Sequence, residues 1–380
     1  MYKKQFHSTG ILTFGLLALA CLLFQSASAA DLGTVQDHPL LVHDEHPSRA
    51  SDAKATAELV PMPFIFHPRW QNSLPAFSEI GGCAMFPANN IWNTPINTLP
   101  VDSHSEAWIN TIGRASGFHM DFGSGNWDGG PIGIPFNVVD STVPKVIFVF
   151  DYADESDPGP YLMPASPQIE YGSDHHLLVV DDSTCTLYEV YNAHFSAGKW
   201  HGGSGAIWDL HSNALRPDTW TSADAAGLPI LPGLVRYDEI AAGAINHAIR
   251  FTASATNRYI WPARHLTSDD PNSPGIPPMG ARFRLKGSYN ISGYPPELQV
   301  ILRAMKIYGI ILADNGSDWY VSGAPDPRWD NDMLHQLDAL TGNDFEAVDS
   351  SSLMVDPNSG EARPADQLNV FLPLIISFSQ

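Results

Sequence analysis

The sequence predicts an α+β fold, mainly antiparallel β in a sandwich or jelly-roll-like arrangement, with a few short helices. Three observations carry this. Residues 176–180 form an apolar run, 181–184 a polar turn and 185–191 a second β-rich run, which together signal a hairpin. Residues 296–308 give the clearest helical period, with Leu298, Ile301, Leu302 and Met305 on one side and Gly309 at the end. No repeat and no linker divides residues 77–350, so a single mixed domain is the economical organisation.

Taken in order, residues 1–30 read as a secretory signal: Lys3 and Lys4 precede an apolar stretch, and Ala27, Ser28 and Ala29 supply small residues for cleavage. Residues 31–76 are rich in Pro, Ala, Ser, His and acids without a period, as expected of a flexible leader. Ser103 and Glu106 have capping-box spacing and open a short helix through Trp108, Ile109 and Ile112, stopped by Gly113. Residues 119–139 are a glycine-rich loop holding Asp121, Trp127 and Asp128; it opens no helix, so it is not a phosphate cradle. Residues 145–152 read as a buried strand that runs into a turn crowded with Asp154, Glu155 and Asp157. Beyond the central hairpin, a helix is expected over 238–249 and strands over 249–252, 259–263 and 282–285. Residues 310–313 and 319–321 flank a polar turn and read as a second hairpin, and 330–340 as a last helix. Residues 351–380 are expected to be a C-terminal extension; 370–378 is too short, and is interrupted by Pro373, to span a bilayer.

Composition narrows the function. Hydrophobic residues at 44% against 16% charged describe a globular chain. Removing a signal that contains Lys3 and Lys4 turns 20 basic residues into 18 against 41 acidic ones, a net charge of −23. Such a surface repels nucleic acid and anionic lipid, so neither is an expected partner, and no membrane contact is expected after signal cleavage. Cys83 and Cys185 are then the only thiols, and in an oxidising compartment an even pair is most simply one disulfide.

The densest mixture of His, carboxylate, aromatic and Gly lies between residues 169 and 210. A side-chain period of two puts Asp174, His176, Leu178 and Val180 on one strand face and Leu187, Glu189 and Tyr191 on one face of the next. Several blocks here also resemble a family of secreted bacterial and fungal proteins often joined to carbohydrate-binding modules. They include WNTPINTLPVDSHS, SDHHLLVVD, HGGSGAIWDL, LRPDTWTSADAAGLPILPGLVRYDE and DNGSDWYVSGAPDPRW. The resemblance covers most of residues 80–350 and implies secretion and a polysaccharide setting. Tyr171 and His175 depart from its pattern, in which glycine and arginine stand; Glu170, Asp174 and His176 remain on it.

The expected function is therefore a secreted hydrolase of polysaccharides or oligosaccharides that uses no cofactor and pairs a protonated carboxyl with a second carboxylate. Its catalytic candidates are Asp121, Glu155, Glu170, Asp174 and His176, with Glu170 as acid, Asp174 as ionised partner and His176 orienting it. Glu189 and Asp209 are further carboxyl candidates. Sugar-contacting candidates are Trp127, Trp200, His201, Trp208 and Asp209, whereas Trp92, Trp108 and Trp261 fall among apolar neighbours and read as core. Three alternatives compete. A lyase would use His176, Tyr171 or Tyr188 as base. A metallohydrolase would use Asp174 and His176 with His194 or His201, although no strong metal motif is present. A lectin-like binder would need no perturbed acid.

Overall fold

The computed structural model describes residues 79–363, so the expected signal over 1–30, the expected leader over 31–76 and residues 364–380 lie outside the described residues. The fold is α+β and rich in β-structure, but its sheets are mixed. One has four strands in the order Gly205–Asp209, Thr186–Val190, Leu177–Asp181 and Phe136–Val139. Its first two pairings are antiparallel and its last, Leu178 against Phe136, is parallel. The largest has six, in the order Phe345–Val348, Arg282–Leu285, Ile310–Asn315, Ile249–Ala253, Tyr320–Ser322 and His119–Asp121, and a three-stranded sheet and three two-stranded ribbons complete the β-structure of the described residues.

Period-two alternation makes these sheets into layers. Leu178, Val180, Leu187 and Trp208 of the smaller sheet pack with Ile311, Ala313 and Val348 of the larger one, and Trp92 joins them. The opposite face of the larger sheet offers Phe251, Phe283, Leu312, Trp319 and Phe345 to the helices Ser105–Ile112 and Pro296–Ile307. On the latter helix Leu298, Ile301, Leu302 and Met305 are all buried, as their spacing requires. Gly309 follows at φ +71, where a Cβ would stand 2.2 Å from the Phe283 carbonyl oxygen, so only glycine returns the chain here.

The central hairpin forms, with Leu178 opposite Glu189 and Val180 opposite Leu187. The second does not. Ile249–Ala253 lies between Ile310–Asn315 and Tyr320–Ser322, parallel to the first and antiparallel to the second. Locally the polar turn looks like a hairpin loop, but it bridges a fully buried strand whose Ile249, Phe251 and Ala253 belong to the helical core. The 238–249 helix is only Tyr237–Ala242, because Gly243 at φ +84 caps it with a left-handed residue. Residues 145–152 split into Lys145–Val146 and Phe148–Phe150, which join different sheets. Residues 259–263 form a turn with one isolated bridge from Tyr259 to Met279. The first helix starts without a capping box, since Glu106 pairs with Arg114 instead. Residues 330–340 are α-helical only over Asn331–Leu334 before tightening into a 3₁₀ turn.

The folded body continues past residue 350. Leu353 and Ala362 are buried, and the Ile91 amide donates to the Gly360 carbonyl at 2.8 Å, so residues 351–363 close over the entry segment. Cys83 and Cys185 are disulfide-bonded, tying that segment to the start of the Thr186–Val190 strand. Titrating the denatured, unreduced chain lacking residues 1–30 should find no free thiol; two per chain would contradict the bond. Among the described residues no helix is long and apolar enough to cross a membrane.

Candidate functional site

His176 immediately precedes the Leu177–Asp181 strand and shares the inward face of Leu178 and Val180. Glu170 folds back on it: the Glu170 amide donates to the His176 carbonyl at 2.9 Å and the His176 amide to Glu170 Oε2 at 3.2 Å. The same carboxylate oxygen lies 2.5 Å from His176 Nδ1, while Nε2 faces the Ala223 carbonyl at 3.2 Å. Both ring nitrogens thus face acceptors, which only the doubly protonated imidazolium satisfies. Burial alone would discharge the ring, but the Glu170 charge and hydrogen bond outweigh it and hold His176 at about 9. Burial likewise works to raise Glu170, and the imidazolium wins there too, leaving that carboxyl below its usual range. Glu170 is therefore an anion bound to a cation, and the expectation that it holds a transferable proton is corrected.

The opposing wall comes from the larger sheet. Ile249 and Phe251 face the helical core, so Arg250 between them faces the smaller sheet. Its guanidinium grips Asp224, with Nε 2.8 Å from Oδ2, and reaches Asp314 Oδ2 at 3.0 Å and Ser322 Oγ at 2.5 Å. Asp314 reaches it through a bulge. Phe251 pairs with Leu312 but Thr252 pairs with Asp314, leaving Ala313 as an extra residue. Without that insertion Asp314 would share the face of Leu312 and enter the helical core; with it, Asp314 lies beside Thr252 and Arg250.

Charge balance sets the chemistry. Glu170, Asp224 and Asp314 supply three carboxyls, and His176 and Arg250 supply two cations, so one carboxyl stays neutral at little cost. Burial first, then the Asp224 charge and a hydrogen bond to Asp224, push Asp314 up to about 7 against the pull of Arg250 and His176. Asp314 lines an open cavity of about 320 Å³ together with Asp174, Glu155, Asp224, Tyr152 and Tyr191. His176, Asp224 and Asp314 place one ligand-type atom each within 4.8 Å of one another. The donor set does not fit a divalent cation as it stands, since His176 has committed both nitrogens and Asp224 is enclosed by Arg250.

Of the candidates read from the sequence, Glu155 and Asp174 line this cavity and Glu170 and His176 support its wall. Asp174 does not share the strand face of His176: His175 takes a positive φ of 48°, which breaks the alternation and leaves Asp174 at the exposed mouth. Asp121 lies in a second cavity of about 340 Å³ with Trp127. Burial raises its carboxyl, the charges of Glu170 and Asp174 add to the effect, and His119 opposes it.

Trp208 is a correction. It is buried and donates through Nε1 to Glu189 at 3.1 Å, so it offers no face to a sugar. Glu189 also belongs to the interior, where it accepts the Ile230 and Leu231 amides at 3.0 and 2.9 Å. Trp200 and His201 sit on a separate strand, Lys199–Gly202, with Trp200 packed on Phe148 and Phe195 and His201 stacked on His194. Asp209 is exposed and caps the His211 amide. Trp92 and Trp108 are core, as expected.

Three residues were missed: Asp224, Arg250 and Asp314. Arg250 had a legible signal, a charge inside the otherwise apolar stretch AIRFTA. No family model matches this chain, and neither a curated protein nor a solved structure does.

The Glu170–His176 pair has a pH signature. A raised histidine stabilises fully below its ordinary value of 6.5 and loses that contribution as pH climbs through about 9. A depressed carboxylate contributes above its ordinary value of 4.5 and loses that as pH falls. Stability should accordingly decline between pH 6.5 and 9, and His176→Gln should flatten that decline. Urea midpoints measured across the range check this; an unchanged slope in the variant would count against the pairing.

Proposed function

We propose that the cavity hydrolyses glycosidic bonds of a neutral polysaccharide outside the cell. The observation that supports this best is the Asp314 carboxyl, which keeps its proton to about 7 while facing a cavity shared with Asp174 and Glu155. Glycoside hydrolysis asks for that combination, one carboxyl to protonate the leaving oxygen and a second to attack or to activate water. Asp314 is the acid in this reading and Asp174 the partner. When Asp314 gives up its proton it becomes an anion beside Arg250 and His176, whose charges already face it, so the proton loss is assisted. Arg250 and Glu170 act through other groups and are positioning residues.

The cavity's remaining lining favours sugar over charged substrates. Tyr152 and Tyr191 provide rings, whereas the Ser204, Thr221 and Ser222 hydroxyls are spent on backbone carbonyls and shape the wall. A net charge of −21 for the whole chain disfavours an anionic polymer. Export accords with the disulfide and with the signal-like start of the chain.

The test is incubation of residues 31–380 with neutral polysaccharides, reading released reducing ends and absorbance of unsaturated products. New reducing ends without that absorbance are expected. The absorbance would indicate a lyase, and binding without cleavage a lectin-like protein; either overturns the proposal.

A further inference from the structure

The second cavity, of about 340 Å³, shares no lining residue with the first. Its lining includes His119, Asp121, Trp127, Tyr320 and Asn331. Trp127 is 78% exposed, the most exposed large hydrophobic side chain among the described residues, and sits on the short hairpin of Asn126–Trp127 with Gly130–Pro131. An isolated two-stranded ribbon this short would not hold its shape in water. Tyr171 holds it. Its ring lies so close over Gly130 that a Cβ there would meet the ring at 1.9 Å, and its hydroxyl donates to the Asp128 carbonyl at 2.9 Å. Because Tyr171 stands between Glu170 and Asp174, the ribbon carrying Trp127 is clamped to the turn carrying Asp174. Across the cavity the His119 and Tyr320 rings pack with centroids 4.4 Å apart on neighbouring parallel strands. Asp121, two residues from His119, is close enough to the first cavity that the Glu170 and Asp174 charges act on it.

We propose that this second cavity binds the continuation of a neutral glycan chain, so that the substrate is a polymer lying across both cavities rather than a terminal sugar. The inference rests on the functional reading above. A pyranose has an apolar face and hydroxyl edges; an exposed indole supplies the surface for the first, and Asp121 and Asn331 supply acceptors and an amide for the second. A peptide or a second copy of the chain would cover the indole as well, but neither calls for the clamp that Tyr171 makes between the Trp127 ribbon and the turn carrying Asp174.

The experiment separates binding from cleavage. Residues 31–380 are run in native gels cast with mixed-linkage β-glucan, xylan, galactomannan or dextran, as wild type, Asp314→Asn, Trp127→Ala and Trp127→Phe. At least one polysaccharide should retard the wild type and Asp314→Asn alike. Trp127→Ala should weaken that retardation roughly tenfold, and Trp127→Phe should restore most of it. Equal retardation of wild type and Trp127→Ala overturns the inference, and so does no retardation by any of the four. A concentration-dependent dimer that Trp127→Ala dissociates, without retardation, would assign the cavity to a second copy and also overturn it. Retardation that depends on Trp127 without any cleavage would sink the hydrolase reading while leaving the glycan subsite standing.

Discussion

Replacing Asp314 by Asn should lower turnover on a cleaved polysaccharide by about two to four orders of magnitude, the usual worth of a positioned general acid. The amide keeps the carboxyl's shape and can remain beside Arg250 Nη2, which now lies 3.0 Å from Asp314 Oδ2. Stability should change little, because the group it replaces is neutral through most of the acid range. In the wild type, turnover should fall as pH rises through about 7, since the acid works only while protonated. Initial rates across pH, with the variant's urea midpoint as control, check both expectations. A variant that keeps wild-type rates would move the acid's role to another carboxyl of the cavity, Asp174 or Glu155.

Arg250→Met should cost about 3–5 kcal/mol of stability, the penalty for leaving a buried charge without its partner. The stranded group is Asp224, fully buried and gripped by the guanidinium through Nε and Nη2. Asp314 and Ser322 lose donors in the same step. Removing the anion as well, in Arg250→Met with Asp224→Leu, should recover much of the loss, because an apolar pair of similar volume no longer buries a charge. Urea unfolding of the single and double variants measures this. A single-variant loss under about 1 kcal/mol, the worth of an exposed pair, would show that Arg250 does not neutralise the buried acid.

How far the sequence discloses this arrangement depends on the range of the interaction. The helix Pro296–Ile307 and the hairpin of Leu177–Asp181 with Thr186–Val190 are legible because their periods are local. Cys83 and Cys185 are legible because they are the only cysteines outside residues 1–30, which leaves one pairing. Asp174, Glu155 and the Glu170–His176 contact lie where turn and strand signals concentrate carboxylates, and the sequence points to that neighbourhood. It does not disclose which carboxyl keeps a proton. That depends on the 26-residue separation between Asp224 and Arg250 and on the 64 between Arg250 and Asp314. The bulge at Ala313 is equally hidden, since its only trace is an alternation that fails by one residue inside a buried strand. Reading residues 310–321 as a hairpin concealed it further, because that reading places Asp314 in a solvent-facing turn. Trp208 misled for the opposite reason: a tryptophan beside an exposed aspartate looks like a sugar platform, and only its bond to the buried Glu189 turns it inward.

The central claim is that Asp314 is the carboxyl that keeps its proton towards neutrality. Titrating protein whose aspartates carry carbon-13 at the side-chain carboxyl measures this directly, with Asp314→Asn identifying the resonance. One aspartate signal should titrate near pH 7 and vanish in the variant. If every aspartate carboxyl titrates below about 5, in the ordinary range for the residue, the proton is not held at Asp314 and the account of the site is contradicted.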